Sequence, residues 1–212
     1  MNSTSLLAAA ARRTYKSLLR CALAAAAFSM LVSAQAAFDV FVKLVPQNGT
    51  IVGDSKDPRY RGAEGWFEIS SFEFGIENTI NIGSVTGGGG AGKASFQKLV
   101  ISKQVDQVSP KIFKVVGTGA HFNSATIAIR KAGLQSGTGE AYLVYDLNLV
   151  FASSQKWSGA SGDDVPKETV SFQFGAAKIT YFKQSQTGDL VKPGIIESWN
   201  IVNNNDNFEI DF

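Results

Sequence analysis

Two long alternating runs that change phase part-way along limit what this chain can build. In ETVSFQFGAAKITYF (168–182), Val170, Phe172 and Phe174 share one face, and after Gly175 the apolar set moves to Ile179 and Tyr181. WFEISSFEFGI (66–76) slips in the same way, from Phe67 and Ile69 on odd positions to Phe72, Phe74 and Ile76 on even ones. Period-two alternation marks half-buried strands, and a phase change inside such a run marks a bulge or sharp bend. Long strands bent in this way are what a sheet needs in order to close on itself, so the expectation is a small antiparallel β-barrel.

Other segments agree. FDVFVKLV (38–45) places Phe38, Val40, Val42 and Leu44 on one face. AYLVYDLNLVF (141–151) places Leu143, Tyr145, Leu147, Leu149 and Phe151 opposite Asp146 and Asn148. One short helix is expected in DQVSPKIFKVVGTG (106–119). Ser109 suits its N-cap, Pro110 its first position, and Val108 with Phe113 a hydrophobic staple. Gly117 suits a left-handed cap, and Ile112, Phe113 and Val116 offer an apolar stripe. The stretches 47–65 and 153–167 read as long polar connections, which in compact domains are usually functional or disordered.

The N-terminus reads as an export signal. Arg12, Arg13, Lys16 and Arg20 precede the apolar run CALAAAAFSMLVS, and Ala34-Gln35-Ala36 offers a small-x-small cleavage site. The expected organisation is a cleavable signal peptide over 1–36 and one domain over 37–212; Arg12-Arg13 also fits the twin-arginine route. Cleavage would leave 16 Lys and Arg against 18 Asp and Glu, a net charge of −2 in place of +2. A mildly acidic mature chain gives no footprint for nucleic acid or for an anionic membrane surface. The single cysteine, Cys21, would leave with the signal, so the mature chain could form no internal disulfide.

Candidate chemistry is sparse. GGGGAGKAS (87–95) matches the phosphate-loop spacing at Gly87, Gly92 and Lys93, but Ala94 stands where a magnesium-binding hydroxyl is needed. The residues that follow look like strand, so a turn between antiparallel strands is the expected reading. His121 is the only histidine, which argues against a multi-histidine metal centre. The acidic pairs Asp54/Asp57 and Asp163/Asp164 lack the spacing of an EF-hand and read as solvated loop carboxylates. No hydrolase elbow is present. No cofactor and no enzymatic activity are expected.

GDSKD (53–57), GGGGAGKASFQKL (87–99), KQVDQVSP (103–110), AIRKAG (128–133) and ETVSFQFGAAKITY (168–181) occur in an order and spacing that resemble the Hcp family of haemolysin-coregulated proteins, the tube subunits of bacterial type VI secretion. The resemblance covers roughly 38–202 and implies a β-barrel flanked by a short helix. It further implies self-assembly into hexameric rings that stack into a tube and hold effector cargo in a central channel. The loop matching 47–65 would extend from the barrel to the next ring, making Lys56, Asp57, Arg59, Tyr60 and Arg61 its stacking residues. Tyr60 stands where the family usually has histidine. Glu73 and Gln173 are polar-face candidates for the channel. The export signal departs from the family pattern, and the alternative reading it raises is a stand-alone Hcp-like binding module in the periplasm or outside the cell.

Overall fold

The computed structural model describes residues 38–81, 90–131, 139–185 and 189–210. Ten strands and one α-helix are present among them: β1 (Phe38–Pro46), β2 (Trp66–Ile69), β3 (Ser71–Glu73), β4 (Ile76–Asn81), β5 (Gly90–Phe96), β6 (Leu99–Gln104), α1 (Ser109–Thr118), β7 (Phe122–Lys131), β8 (Leu143–Ser158), β9 (Lys167–Tyr181) and β10 (Ile195–Asn200). The main sheet is antiparallel in the order β2-β1-β7-β8-β9-β6-β3, with β10 added to β9. Strands β2 and β3 are consecutive in sequence yet pair at opposite ends of that order. Between them the Ser70 amide donates to the Ser102 carbonyl at 2.8 Å. The β2–β3 run therefore spans the seam and nearly closes the sheet into a barrel.

Alternation fills the interior. Val40, Val42 and Leu44 of β1, Ile127 and Ile129 of β7, Leu147 of β8, Ile101 of β6 and Phe172 of β9 form one continuous core with Phe67 and Ile69. Burying a side chain of this size is worth about 1.5–3 kcal/mol, so this cluster drives closure. Phe74 packs edge-on against Tyr145 at 4.9 Å and Phe174 at 5.9 Å, extending the core with aromatic contacts.

The phase change expected at Gly175 is one point on a line that crosses the sheet. At Pro46/Phe122 the β1–β7 register shifts. In β8 the buried positions move from Leu147 to Val150 and Ala152, and Leu149 takes φ = 55°. The unbroken alternation read for 141–151 is therefore corrected: Val150 enters the core, Phe151 is exposed, and Leu149 turns out. A leucine rarely adopts that backbone. Here the Asn148 side-chain oxygen accepts from the Leu149 amide at 3.0 Å. Room comes from Gly175, where an added Cβ would stand 3.3 Å from Leu149 Cδ2 and 2.7 Å from Ile210 Cδ1.

The helix lies where expected, with different ends. Val108, not Ser109, is the N-cap residue, and its amide donates to the Asp106 carboxylate at 2.9 Å. Gly119, at φ = 68°, is the left-handed C-cap in place of Gly117. Val108 and Ile112 are fully buried, while Phe113 points outward. The connection read over 153–167 is also shorter than expected. Strand β8 runs to Ser158 and β9 starts at Lys167, because Gln155 and Trp157 reach inward to the carboxylate of Glu168.

Strands β4 and β5 pair with each other as a separate antiparallel hairpin. Lys93 of the glycine-rich stretch lies inside β5, and β6 follows as another strand; neither is the helix N-terminus that a phosphate loop requires. The turn expected around Gly87 falls at 82–89, outside the described residues.

Candidate functional site

The connection 47–65 does not stand away from the barrel. It is laid on the solvent face of β1, with residues Ile51, Gly53, Ser55, Asp57, Tyr60 and Gly62 buried in turn. Its backbone crosses itself closely: the Gly53 amide donates to Gly62 and the Gly62 amide to Ser55, each at 2.9 Å. A Cβ at Gly62 would lie 2.2 Å from the Gly53 carbonyl oxygen, and one at Gly53 would lie 2.1 Å from that of Trp66. Only glycine fits at either point.

Two side chains pin this loop. Tyr60 stacks on Phe41 at 4.5 Å, meets Trp66 edge-on at 5.0 Å, and its hydroxyl accepts from the Ala141 amide at 3.1 Å. Phe41 lies on the face of β1 opposite Val40 and Val42, and the loop is what buries it. Asp57 accepts from the amides of Arg59 and Tyr60 at 2.9 and 3.0 Å through one oxygen and pairs with Arg130 through the other. Arg130 also donates to Asp39 at 3.1 Å and lies over the Phe41 ring at 4.9 Å. Burial works to raise the Asp57 carboxyl, but Arg130 and the two amides outweigh it and hold the group below the usual carboxylate range.

The five residues expected in a stacking loop thus divide. Asp57 and Tyr60 face inward and fix the loop to the barrel, so the solvated carboxylate expected at Asp57 is corrected to a buried, paired one. Lys56, Arg59 and Arg61 face solvent, with Arg59 paired to Glu140 at 2.7 Å and Arg61 to Glu64 at 3.3 Å. Asp54 is tied to the turn before α1, accepting from the Gln107 amide at 3.1 Å. Asp163 and Asp164 are exposed, as read.

A second buried charge cluster went unread in the sequence. Lys103 of β6 stands directly opposite Glu168 of β9. Its ammonium lies 2.9 Å from Glu168 and 2.7 Å from Asp106, and donates to the Gln104 carbonyl at 2.8 Å. Glu168 accepts also from Ser109 at 2.8 Å, Gln155 at 2.9 Å and the Trp157 indole at 3.0 Å. Both side chains are shut off from solvent, and each polar end is satisfied. The segments KQVDQVSP and ETVSFQF are therefore two halves of one network, as GDSKD and AIRKAG are two halves of the other.

Glu73 and Gln173 are exposed on the solvent side of the barrel wall. Glu73 pairs with Val100, which pairs with Ser171, and Gln173 follows two residues along β9. Ser71, Ser102 and Thr169 form the adjacent row, so this side of β3, β6 and β9 carries mostly short polar groups. It opens into a trough of about 710 Å³ where Asp54 and Lys56 of the loop meet Glu68, Ser102 and Thr169. His121 packs against the ring of Phe151 at 5.2 Å. Among the described residues no group of three or more His, Cys, Asp or Glu could hold a metal ion, and no helix is long and apolar enough to cross a membrane.

The profile of the family described as "Type VI secretion system effector, Hcp" matches residues 41–181. Protein hcp1 of Pseudomonas aeruginosa is 32% identical over 114 residues, covering 53% of this chain and 68% of its own length. A solved type six secretion system protein superposes with a TM-score of 0.70 at 29% identity, covering 81% of this chain and all of its own. Hcp1 from Salmonella typhimurium superposes with a TM-score of 0.59 at 25% identity, covering 81% of this chain and 99% of its own. The match begins in β1 and ends with β9, so it takes in the barrel strands before β10, the docked loop and the buried pairs Asp57–Arg130 and Lys103–Glu168. This chain belongs to the Hcp family of type VI secretion proteins.

Proposed function

We propose that this chain is a structural, non-enzymatic subunit of type VI secretion that closes with copies of itself into a hexameric ring and serves as tube component or effector carrier. The observation that carries this reading is the family match, which runs from β1 through β9 rather than over one motif. The short polar wall around Glu73 and Gln173 suits a channel lining, because it offers hydrogen bonds without a deep apolar grip on cargo. Lys56, Arg59 and Arg61 suit contacts with a stacked ring, held in place by the inward-facing Asp57 and Tyr60. Residues 1–36 act as an export signal and 37–212 as the mature domain; strand β1 begins at Phe38, so cleavage after Ala36 spares its first pair with Lys131. The second reading, an exported stand-alone binding module, rests on that signal alone.

Light scattering after size exclusion, on chain recovered from a producing cell, tests the assembly. A mass of six chains is expected; a monomer at high concentration overturns the ring. N-terminal sequencing of the same sample should begin at Ala37, and an intact Met1 on cytosolic protein would sink export. Charge reversal at Arg59 and Arg61 should weaken stacking of rings into tubes while leaving the barrel folded, since exposed ion pairs contribute only about 0–1 kcal/mol each. Sedimentation separates single rings from stacks, and normal stacking by the double variant would remove the loop from the stacking contact.

A further inference from the structure

An exposed apolar patch lies beside each end of strand β8, and the two patches differ. At its start, Leu143 pairs with Tyr181 and Tyr145 with Ile179, while on the far side of β9 Ile195 pairs with Tyr181 and Glu197 with Ile179. Cross-strand partners share a face. Ile179, Tyr181 and Ile195 therefore extend the core-facing side of the sheet into solvent, at 42%, 44% and 68% exposure. Glu197 is the acidic group set among them. Near the other end of β8, Trp157 is 50% exposed and Phe113 of α1 is 61% exposed, with ring centroids 5.9 Å apart. Lys114 neighbours Phe113, and Lys111 lies one turn before it; both are exposed. Neither lysine nor Glu197 has an ion-pair partner among the described residues.

From these observations we infer that the contact between neighbouring copies is head to tail, with the Phe113–Trp157 patch of one copy seated on the Ile179–Tyr181–Ile195 patch of the next and Lys114 facing Glu197. Trp157 stands 14 positions beyond Leu143. The ring contacts of the described residues join Phe113 to Trp157 and Tyr142 to Tyr181, and none joins the two patches within one copy. Each patch is also a poor partner for itself, since self-pairing would oppose lysine to lysine or Glu197 to Glu197. Two unlike, charge-complementary patches on one copy give a heterologous contact, which closes into a ring or runs on as a filament. This assignment rests on the ring reading and names the surfaces that would build it.

The test uses two full-length variants, Phe113→Ser/Lys114→Glu and Ile179→Ser/Ile195→Ser, weighed in solution by light scattering. Each alone should be monomeric. Mixed in equal amounts they should give a one-to-one dimer and nothing larger, because the mixture retains a single intact contact. Rings formed by either variant alone, or no dimer in the mixture, overturn the assignment. Independently, Glu197→Lys should raise the concentration at which rings half-dissociate about ten-fold, and adding Lys114→Glu should restore it. A Glu197→Lys chain that assembles like the unaltered protein overturns the facing of these residues. A monomeric unaltered chain overturns the ring reading itself, an outcome distinct from rings that survive the substitutions.

Discussion

Lys103→Met should lower the stability of the barrel by about 3–5 kcal/mol, the usual consequence of removing one partner from a buried ion pair. The cost does not measure the strength of the pair. Glu168 would stay sealed from solvent with Ser109, Gln155 and Trp157 as donors and no neutralising charge beside it. Asp106 would lose its only ion-pair partner among the described residues at the same time. Lys103→Met/Glu168→Gln should therefore be more stable than Lys103→Met alone, because the fully sealed charge of Glu168 is gone and only the partly exposed Asp106 stays unpaired. Chemical denaturation of four chains, the unaltered protein, Lys103→Met, Glu168→Gln and the double variant, closes the cycle. A single-variant loss below about 1 kcal/mol, or a double variant weaker than the single, would mean the pair is not held dry. The pair also ties elements together. Lys103 and Glu168 fix the β6–β9 register, and Ser109 brings the first turn of α1 to the same point.

How much of this was legible depended on whether the reason for a residue was local. Alternation in β1 and the glycine slip in β9 reflect which side of one strand meets the core, and they were readable. Leu149 was not, because its outward turn is set by the bend passing through β7 and β9 on either side. The end of β8 was misread for a related cause: SSQKW is polar in composition, yet Gln155 and Trp157 are needed at the buried carboxylate of Glu168. Phe41 and Tyr60 each look ordinary alone, and only the loop folding back makes them a stacked pair. The motifs carrying the family resemblance were visible as segments. Their reason was not, since Asp57 and Arg130 are 73 residues apart and Ser109 and Glu168 are 59 apart.

Arg130→Met should release the 47–65 loop while leaving the barrel closed, at a cost of about 3 kcal/mol. Among the described residues Arg130 is the only cation held by both Asp57 and Asp39, and it is the side chain on which Phe41 and Tyr60 converge. Without it Asp57 is left in a buried site with backbone amides alone. Hydrogen exchange should then rise at the Arg59, Tyr60 and Gly62 amides, with the β7–β8 amides still protected. Asp57→Asn should show the same weakening with a pH signature. Its carboxyl sits below its ordinary range in the folded protein, so the unfolded chain takes up the proton first as pH falls. The stabilisation is complete above about pH 4, near the unfolded value, and drains away as pH falls through the lower folded value. The stability gap between unaltered protein and Asp57→Asn should thus be constant from neutral pH to about pH 5 and narrow below pH 4. A gap that stays constant down to pH 2.5 would mean that Asp57 keeps the same proton affinity folded and unfolded. Because Lys56, Arg59 and Arg61 ride on this loop, both substitutions should also impair stacking without touching a residue at the rim. Stacking loss in Asp57→Asn at neutral pH, with rings intact, would tie the buried pair to the surface it positions.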